Sequence, residues 1–146
     1  MEKIYFTLDE ANEMLPYIQM TLKELRELKR EIAEKIVEME NRGVDLQKIT
    51  QTENLSESEK KDLTELQMLA DQVQDRVYEM TGQGILLKDI EKGLVDFYCQ
   101  MPGEEVFLCW QEGESEIQFF HSIEAGFSGR RSLYERSILQ NITQVH

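Results

Sequence analysis

Apolar residues in the first part of the chain recur in alternating steps of three and four positions. This spacing is typical of a helix that carries a coiled-coil seam. Lys29 is the one polar residue in the seam. The seam positions are Leu8, Ala11, Leu15, Ile18, Leu22, Leu25, Lys29, Ile32, Ile36 and Met39.

Local signals set the limits of this first helix. Thr7 and Glu10 have the spacing of a capping box, which predicts the start of the helix, and Gly43 predicts its end. Pro16 has no N–H to donate, and its ring crowds the carbonyl group four residues earlier. We therefore expect a kink or a break near residues 14–15.

A second seam predicts a second helix over residues 57–81. Ser56 and Glu59 form another capping box, and a pair of glycines follows the last seam position. Since residues 17–41 and 57–81 are equally long, they suit an antiparallel hairpin joined by a loop over 43–55. The second seam consists of Leu63, Leu66, Ala70, Val73, Val77 and Met80.

From Ile85 onward the hydrophobic period changes to two, which is typical of half-buried strands. Strands are predicted over 95–101, 106–111 and 117–121, with a short fourth strand at 85–89. We therefore predict an α+β fold in which a long helical hairpin (7–81) packs on a three- to four-stranded antiparallel β-meander within the C-terminal part (85–146). The whole chain, 1–146, is predicted to be one domain.

Folding the meander at its turns predicts which side chains share a face. We expect Gln100 to pair with Glu105 and Gln111 with Glu116. The opposite face would then mix polar and aromatic groups. The predicted helix-facing set is Val95, Phe97, Cys99, Val106, Leu108, Trp110, Ile117, Phe119 and His121, and the predicted opposite set is Asp96, Tyr98, Phe107, Cys109, Gln118 and Phe120.

The net charge of −13 makes nucleic acid and anionic membranes unfavourable partners, because both are themselves negatively charged. No stretch resembles a signal peptide or a membrane span, so we expect a cytoplasmic protein. Cys99 and Cys109 are then expected to be free thiols. Their positions on opposite faces of adjacent strands also argue against a disulfide.

Several motifs together resemble the bacterial family known as domain of unknown function 2203. The resemblance spans most of residues 6–133 and implies a bacterial origin, but it implies no particular activity. It directs attention to Asp96, His121, Glu124, Arg130 and Arg131. The motifs are Phe6-Thr7-Leu8-Asp9-Glu10-Ala11-Asn12, Leu15-Pro16, Lys88-Asp89-Ile90-Glu91, Gly93-Leu94-Val95-Asp96-Phe97, Leu108-Cys109-Trp110, Gly113-Glu114, and the run from His121 through Gly126-Phe127 to Gly129-Arg130-Arg131.

Asp96, Cys109, His121 and Glu124 are residues of the types that bind zinc. The predicted strand pairing puts His121 on the face opposite Asp96 and Cys109. We therefore interpret His121 as a core histidine with one hydrogen-bond partner, and assign neither a metal nor a cofactor. The same separation argues against Cys109 as a nucleophile with His121 as its base.

Arg130 and Arg131 lie in a glycine-flanked turn, where guanidinium groups and open backbone amides suit phosphate or carboxylate. Their partner is either an anionic ligand, with His121, Glu124 and Asp96 nearby, or a carboxylate of the protein itself. The apolar surface of the hairpin favours a homodimer. We therefore expect a non-enzymatic, self-associating interaction module with a docking face for a protein partner. The alternative is a small anionic-ligand-binding protein or enzyme, so enzymatic activity is left open.

Overall fold

The computed structural model describes residues 2–51 and 54–134, apart from the side chains of residues 50 and 51. These residues form two compact units, one made of residues 2–22 and 77–134 and the other of the residues between 23 and 76. The prediction of a single domain, with the hairpin packed on the sheet, stays a prediction. The elements are α1 (Leu8–Glu13), α2 (Leu15–Asn41), α3 (Leu46–Gln51), α4 (Glu57–Gly82), β1 (Ile85–Asp89), β2 (Leu94–Met101), β3 (Glu104–Gln111), β4 (Phe119–Ser122), a short 3₁₀ helix (Phe127–Gly129) and β5 (Arg131–Ser132).

The two predicted helices begin and break where the sequence predicts. The Thr7 hydroxyl accepts a hydrogen bond from the Glu10 N–H, and the Glu10 carboxylate accepts one from the Thr7 N–H, so the capping box is complete. Ser56 and Glu59 form the same reciprocal pair. The predicted break is also confirmed, because α1 and α2 are separate and Pro16 stands in the first turn of α2, where its missing N–H costs little.

In the unit of residues 23–76, ion pairs show that α2 and α4 run antiparallel. Arg76 near the end of α4 binds Glu24 near the start of this part of α2 at 2.7 Å, whereas Lys35 binds Asp62 at 2.9 Å. Leu25 is fully buried in this unit. No helix in the described ranges is long and apolar enough to cross a membrane.

The prediction that residues 43–55 form a loop is wrong in part, since α3 lies within this segment. Asp45 begins this helix by accepting a hydrogen bond from the N–H of Gln47 at 3.0 Å. Ile49 anchors it, with 2% of its surface exposed. With 6 residues, α3 is too short to show a helical hydrophobic period in the sequence.

The sheet has five antiparallel strands in the order β1-β2-β3-β4-β5. The α+β class and the short strand at 85–89 are confirmed, and the strand number is corrected from three or four to five. The additional strand, β5, pairs Ser132 with Phe119 and Arg131 with Phe120. Its two residues cannot display an alternating pattern.

The predicted register is right for the first hairpin and wrong by one residue for the next. Gln100 pairs with Glu105 as expected. However, Phe107 pairs with His121 and Cys109 with Phe119. Because a slip of one residue reverses every side chain of a strand, His121 lies on the same face as Asp96 and Cys109.

The apolar face of the sheet is buried together with helical residues of the same unit. Phe6 contacts Phe97 edge to face, with ring centroids 5.0 Å apart. Phe120 belongs to this face in place of Phe119 and His121. Cys99 and Cys109 are free and point to opposite faces, which confirms the expected absence of a disulfide. The buried set includes Ala11, Leu15, Ile18, Leu22, Ile85, Val95, Phe97, Val106, Leu108, Trp110 and Phe120.

Candidate functional site

Three side chains of different chemistry meet on the mixed face of the sheet. Asp96 in β2 pairs with Cys109 in β3. His121 in β4 pairs with Phe107, which lies two residues before Cys109 in β3 and on the same face. One carboxylate oxygen, the thiol sulfur and one imidazole nitrogen all lie within 4.8 Å of one another. Their exposed fractions are 4%, 0% and 2%. The sheet therefore buries an oxygen, a sulfur and a nitrogen donor in one cluster, which we call the Asp96–Cys109–His121 cluster.

Both ring nitrogens of His121 have hydrogen-bond partners. Nδ1 lies 2.8 Å from the carbonyl oxygen of Ser122, which can only accept, so Nδ1 carries a hydrogen. Nε2 lies 3.2 Å from both carboxylate oxygens of Asp96. Buried polar groups normally occur in such fully bonded arrangements. The space between Nε2 and Asp96 must therefore contain a proton or another positively charged species.

The Cys109 thiol is held in its neutral form. Burial, together with the neighbouring Asp96 carboxylate, raises its pKa to about 12, although the Arg130 guanidinium opposes this rise. The cause is that burial and a nearby anion both disfavour a thiolate. Cys109 is therefore poorly suited to act as a free nucleophile. A second cation, in addition to Arg130, would be needed to stabilise the sulfur anion.

Arg130 lies beside this cluster and binds an internal carboxylate. Its Nη2 donates to the two oxygens of Glu114 at 2.7 and 2.9 Å, and to the carbonyl oxygen of Cys109 at 3.3 Å. The guanidinium carbon lies 4.1 Å from the ring centre of Phe119 and 4.6 Å from that of Phe127. Stacking and ion pairing together hold Arg130 in place.

Aromatic rings cover one side of the cluster. Tyr98 and Phe107 have ring centroids 4.6 Å apart, and Phe107 lies 5.4 Å from the imidazole of His121. Tyr5 extends this row by packing on Tyr98 at 6.1 Å. The row keeps water away from His121, which strengthens electrostatic interactions within the cluster.

The residues singled out from the sequence do not all meet. Asp96 and His121 are in contact, and Arg130 reaches the cluster through Cys109. Arg131 stacks on Phe120 at 5.2 Å, which places it on the other face of the sheet. Glu124 is exposed. The five residues therefore do not form one common pocket.

Two contributors lie outside the candidate site that the sequence predicts. The first is Cys109, which the predicted register separates from His121. The second is Glu114, whose Oε1 also accepts a hydrogen bond from the N–H of Gln111 at 2.7 Å, which fixes its position for Arg130. The sequence carries a general signal for it, since an arginine pair among many acids is expected to have carboxylate partners.

The fold and the cluster define an α+β protein with a buried carboxylate, thiol and imidazole on one sheet face. The chain belongs to the family described as "Uncharacterized conserved protein (DUF2203)", which matches residues 4–133. This confirms the family expected from the sequence motifs. No curated protein and no solved structure matches the chain.

Proposed function

We propose that this protein is a non-enzymatic module that self-associates through the helices of residues 23–76. The observation that carries the proposal is an apolar helix edge that the single chain leaves partly open to solvent. Ile36 in α2 and Leu63, Leu66 and Val73 in α4 are only half-buried, although they occupy seam positions. Ala70, between them, is exposed.

The two edges of this helix pair differ in chemistry. On one edge Glu24 binds Arg76 and Lys35 binds Glu65 at 2.7 Å, so charged side chains close the contact between the helices. The other edge carries mostly apolar side chains. We call it the apolar edge, and it consists of Ile32, Ala33, Ile36, Leu63, Leu66, Ala70 and Val73.

A second copy of this chain is the occupant that suits the apolar edge best. The edge comes from two seams of matched length, and a twofold axis would place each seam against its equivalent. Two helices alone form one layer and can bury only one stripe of each helix, whereas two helix pairs can form a bundle with a common core. The expected assembly is a homodimer.

The alternative, an anionic-ligand protein or enzyme, has less support. Arg130 already has an internal carboxylate partner, and both charged side chains are largely buried, at 13% and 19% exposed. An external anion would have to displace Glu114. Arg131 lies on the sheet face opposite the Asp96–Cys109–His121 cluster, and Glu124 is exposed whereas the cluster is buried.

The mass of the protein in solution tests the proposal. Multi-angle light scattering should report twice the chain mass of 17.2 kDa. The double variant Ala33→Glu/Ala70→Glu should shift the mass toward one chain, because it places charges on the apolar edge at positions that are exposed within the chain. Glutamate also retains good helix propensity.

The matched control is Gln72→Glu, which adds the same charge to α4 about 200° further round the helix than Ala70. This variant should remain dimeric. A wild-type mass of one chain at every concentration contradicts the proposal. So does a dimer that survives Ala33→Glu/Ala70→Glu with unchanged stability.

A further inference from the structure

The orientation of His121 resembles that of a metal-binding histidine. Its Nδ1–H donates to the Ser122 carbonyl oxygen at 2.8 Å, which fixes the ring and leaves Nε2 facing Asp96 and Cys109. Metal-binding histidines usually donate their second ring N–H to a carbonyl or carboxylate in this way. The ring is also held by Phe107. These contacts leave Nε2, which faces Asp96 and Cys109, as the imidazole atom in position to bind a metal.

We propose that Asp96, Cys109 and His121 bind a divalent transition-metal ion, with zinc as the best match. The ligand atoms would be a carboxylate oxygen of Asp96, Sγ of Cys109 and Nε2 of His121. Mixed oxygen, sulfur and nitrogen ligands are typical of zinc, and three protein ligands leave a fourth tetrahedral position for water or a small ligand. The site lies in the unit of residues 2–22 and 77–134, so it is independent of the proposed dimer.

The distances suit this assignment. At metal–ligand distances of about 2.0–2.3 Å, tetrahedral ligand atoms lie roughly 3.5 Å apart. Nε2 and the Asp96 oxygens are 3.2 Å apart, and the whole set lies within 4.8 Å. Small side-chain rotations would bring all three atoms to one ion. All three come from paired strands, which is a rigid support for such a site.

The binding of a divalent ion would leave the net charge of the cluster unchanged. Binding forms bonds from the metal to O, N and S, and it releases the thiol proton of Cys109 and the proton shared by Nε2 and Asp96. The charge gained is thus offset by the protons lost. Arg130 would not repel the ion strongly, because Glu114 neutralises it at 2.7 Å. A metal is also the cation that would stabilise a thiolate at Cys109 despite its burial.

Cobalt(II) is a suitable probe because it occupies zinc sites and is coloured. Titration of the whole protein with Co²⁺ should give a thiolate-to-cobalt charge-transfer band and the strong visible bands of tetrahedral cobalt. Zn²⁺ should abolish both, and binding should release protons. Because the cluster is buried, Co²⁺ is added to the folded protein and, separately, during refolding from urea.

Cys99 supplies the matched control, since Cys99 and Cys109 are the two thiols of the chain and both are buried. Cys109→Ser should lose the charge-transfer band, whereas Cys99→Ser should keep it. His121→Asn should lower Co²⁺ affinity by at least about 100-fold. Circular dichroism checks that each variant folds. If Cys109→Ser does not fold, the band in Cys99→Ser still assigns the sulfur ligand to Cys109.

Three results would overturn the proposal. One is the absence of the charge-transfer band in both the folded and the refolded wild-type protein. Another is a band that survives in Cys109→Ser or disappears in a folded Cys99→Ser. The third is an unchanged Co²⁺ affinity in folded His121→Asn. In each case a proton, and not a metal ion, lies between Nε2 and Asp96. The cluster is then a buried hydrogen-bonded pair beside a neutral thiol.

Discussion

Each of the two compact units buries one aspartate, and the two aspartates have different partners. Asp62 in the helix pair and Asp96 in the sheet are both 4% exposed. Asp62 accepts hydrogen bonds from Arg42 at 2.7 Å and Lys35 at 2.9 Å. Asp96 instead faces an imidazole and a thiol.

The partners of Asp62 give it a structural role, whereas the partners of Asp96 can exchange protons. Arginine and lysine keep their charge throughout the physiological range, and the hydrogen bonds from Arg42 and Lys35 lower the pKa of Asp62 despite its burial. Asp62 therefore fixes how α2 and α4 pair. Imidazole and thiol groups exchange protons and bind metals, so the surroundings of Asp96 permit chemistry that those of Asp62 do not.

We expect the largest effect from Asp96→Ala. This change leaves Nε2 of His121 buried without its partner, and removing one member of a buried pair costs about 3–5 kcal/mol of unfolding free energy. Urea denaturation with a chelator present measures this without any contribution from a metal. Asp75→Ala, at an exposed aspartate, is the control and should change little. A loss below about 1 kcal/mol for Asp96→Ala would mean that the pair is not formed.

Leu25→Ala should destabilise the protein by about 2–4 kcal/mol, because it leaves a cavity at a fully buried seam position. The sequence predicts the same loss for Val73→Ala, but Val73 is half-buried in the single chain, so we expect about 1 kcal/mol. Urea denaturation at several protein concentrations compares the two. The effect at Val73 should grow with concentration if the dimer covers it. Equal, negligible losses at both positions would contradict the heptad interpretation of the core.

Asp62→Asn should cost about 1–3 kcal/mol at neutral pH, because it removes the charge that Lys35 and Arg42 share. The pKa of Asp62 is lower in the folded state than in the unfolded state. The stabilisation from its charge is therefore complete above the unfolded-state pKa of about 3.9, and it is lost as the pH falls through the folded-state pKa. Denaturation curves of wild type and variant should therefore converge at acidic pH. A difference that stays constant down to acidic pH would show that the charge of Asp62 is not responsible.

The smallest effect is expected from Arg30→Ala. Arg30 bonds to Glu27 and Glu34 on the exposed side of α2, where water screens ion pairs. We expect no measurable change in thermal or urea stability, in contrast to Asp62→Asn. A clear loss would mean that exposure does not distinguish the ion pairs of this helix.

Much of the fold could be predicted because its signals are local. The seam spacing, the Thr7 and Ser56 caps and the position of Pro16 each act within a few residues, so they specify helices and a break without tertiary contacts. The turn at Pro102-Gly103 is equally short, and it sets the register of β2 and β3 correctly. Family membership also follows from motifs in the sequence.

The candidate site could not be predicted in full, because it depends on one non-local register. The segment between β3 and β4 is too long to fix the pairing, and Phe119 and Phe120 are both aromatic, so either one could face the core. Asn12, which is more than 100 residues earlier in the chain, accepts a hydrogen bond from the N–H of Ile117 at 2.8 Å. Strand β4 begins two residues after this contact. The amino-acid sequence by itself therefore determined α1, α2 and α4, the first hairpin and the donor residues. Only the tertiary structure brought His121 to Asp96 and Cys109, since a shift of one residue decides which face a strand side chain occupies.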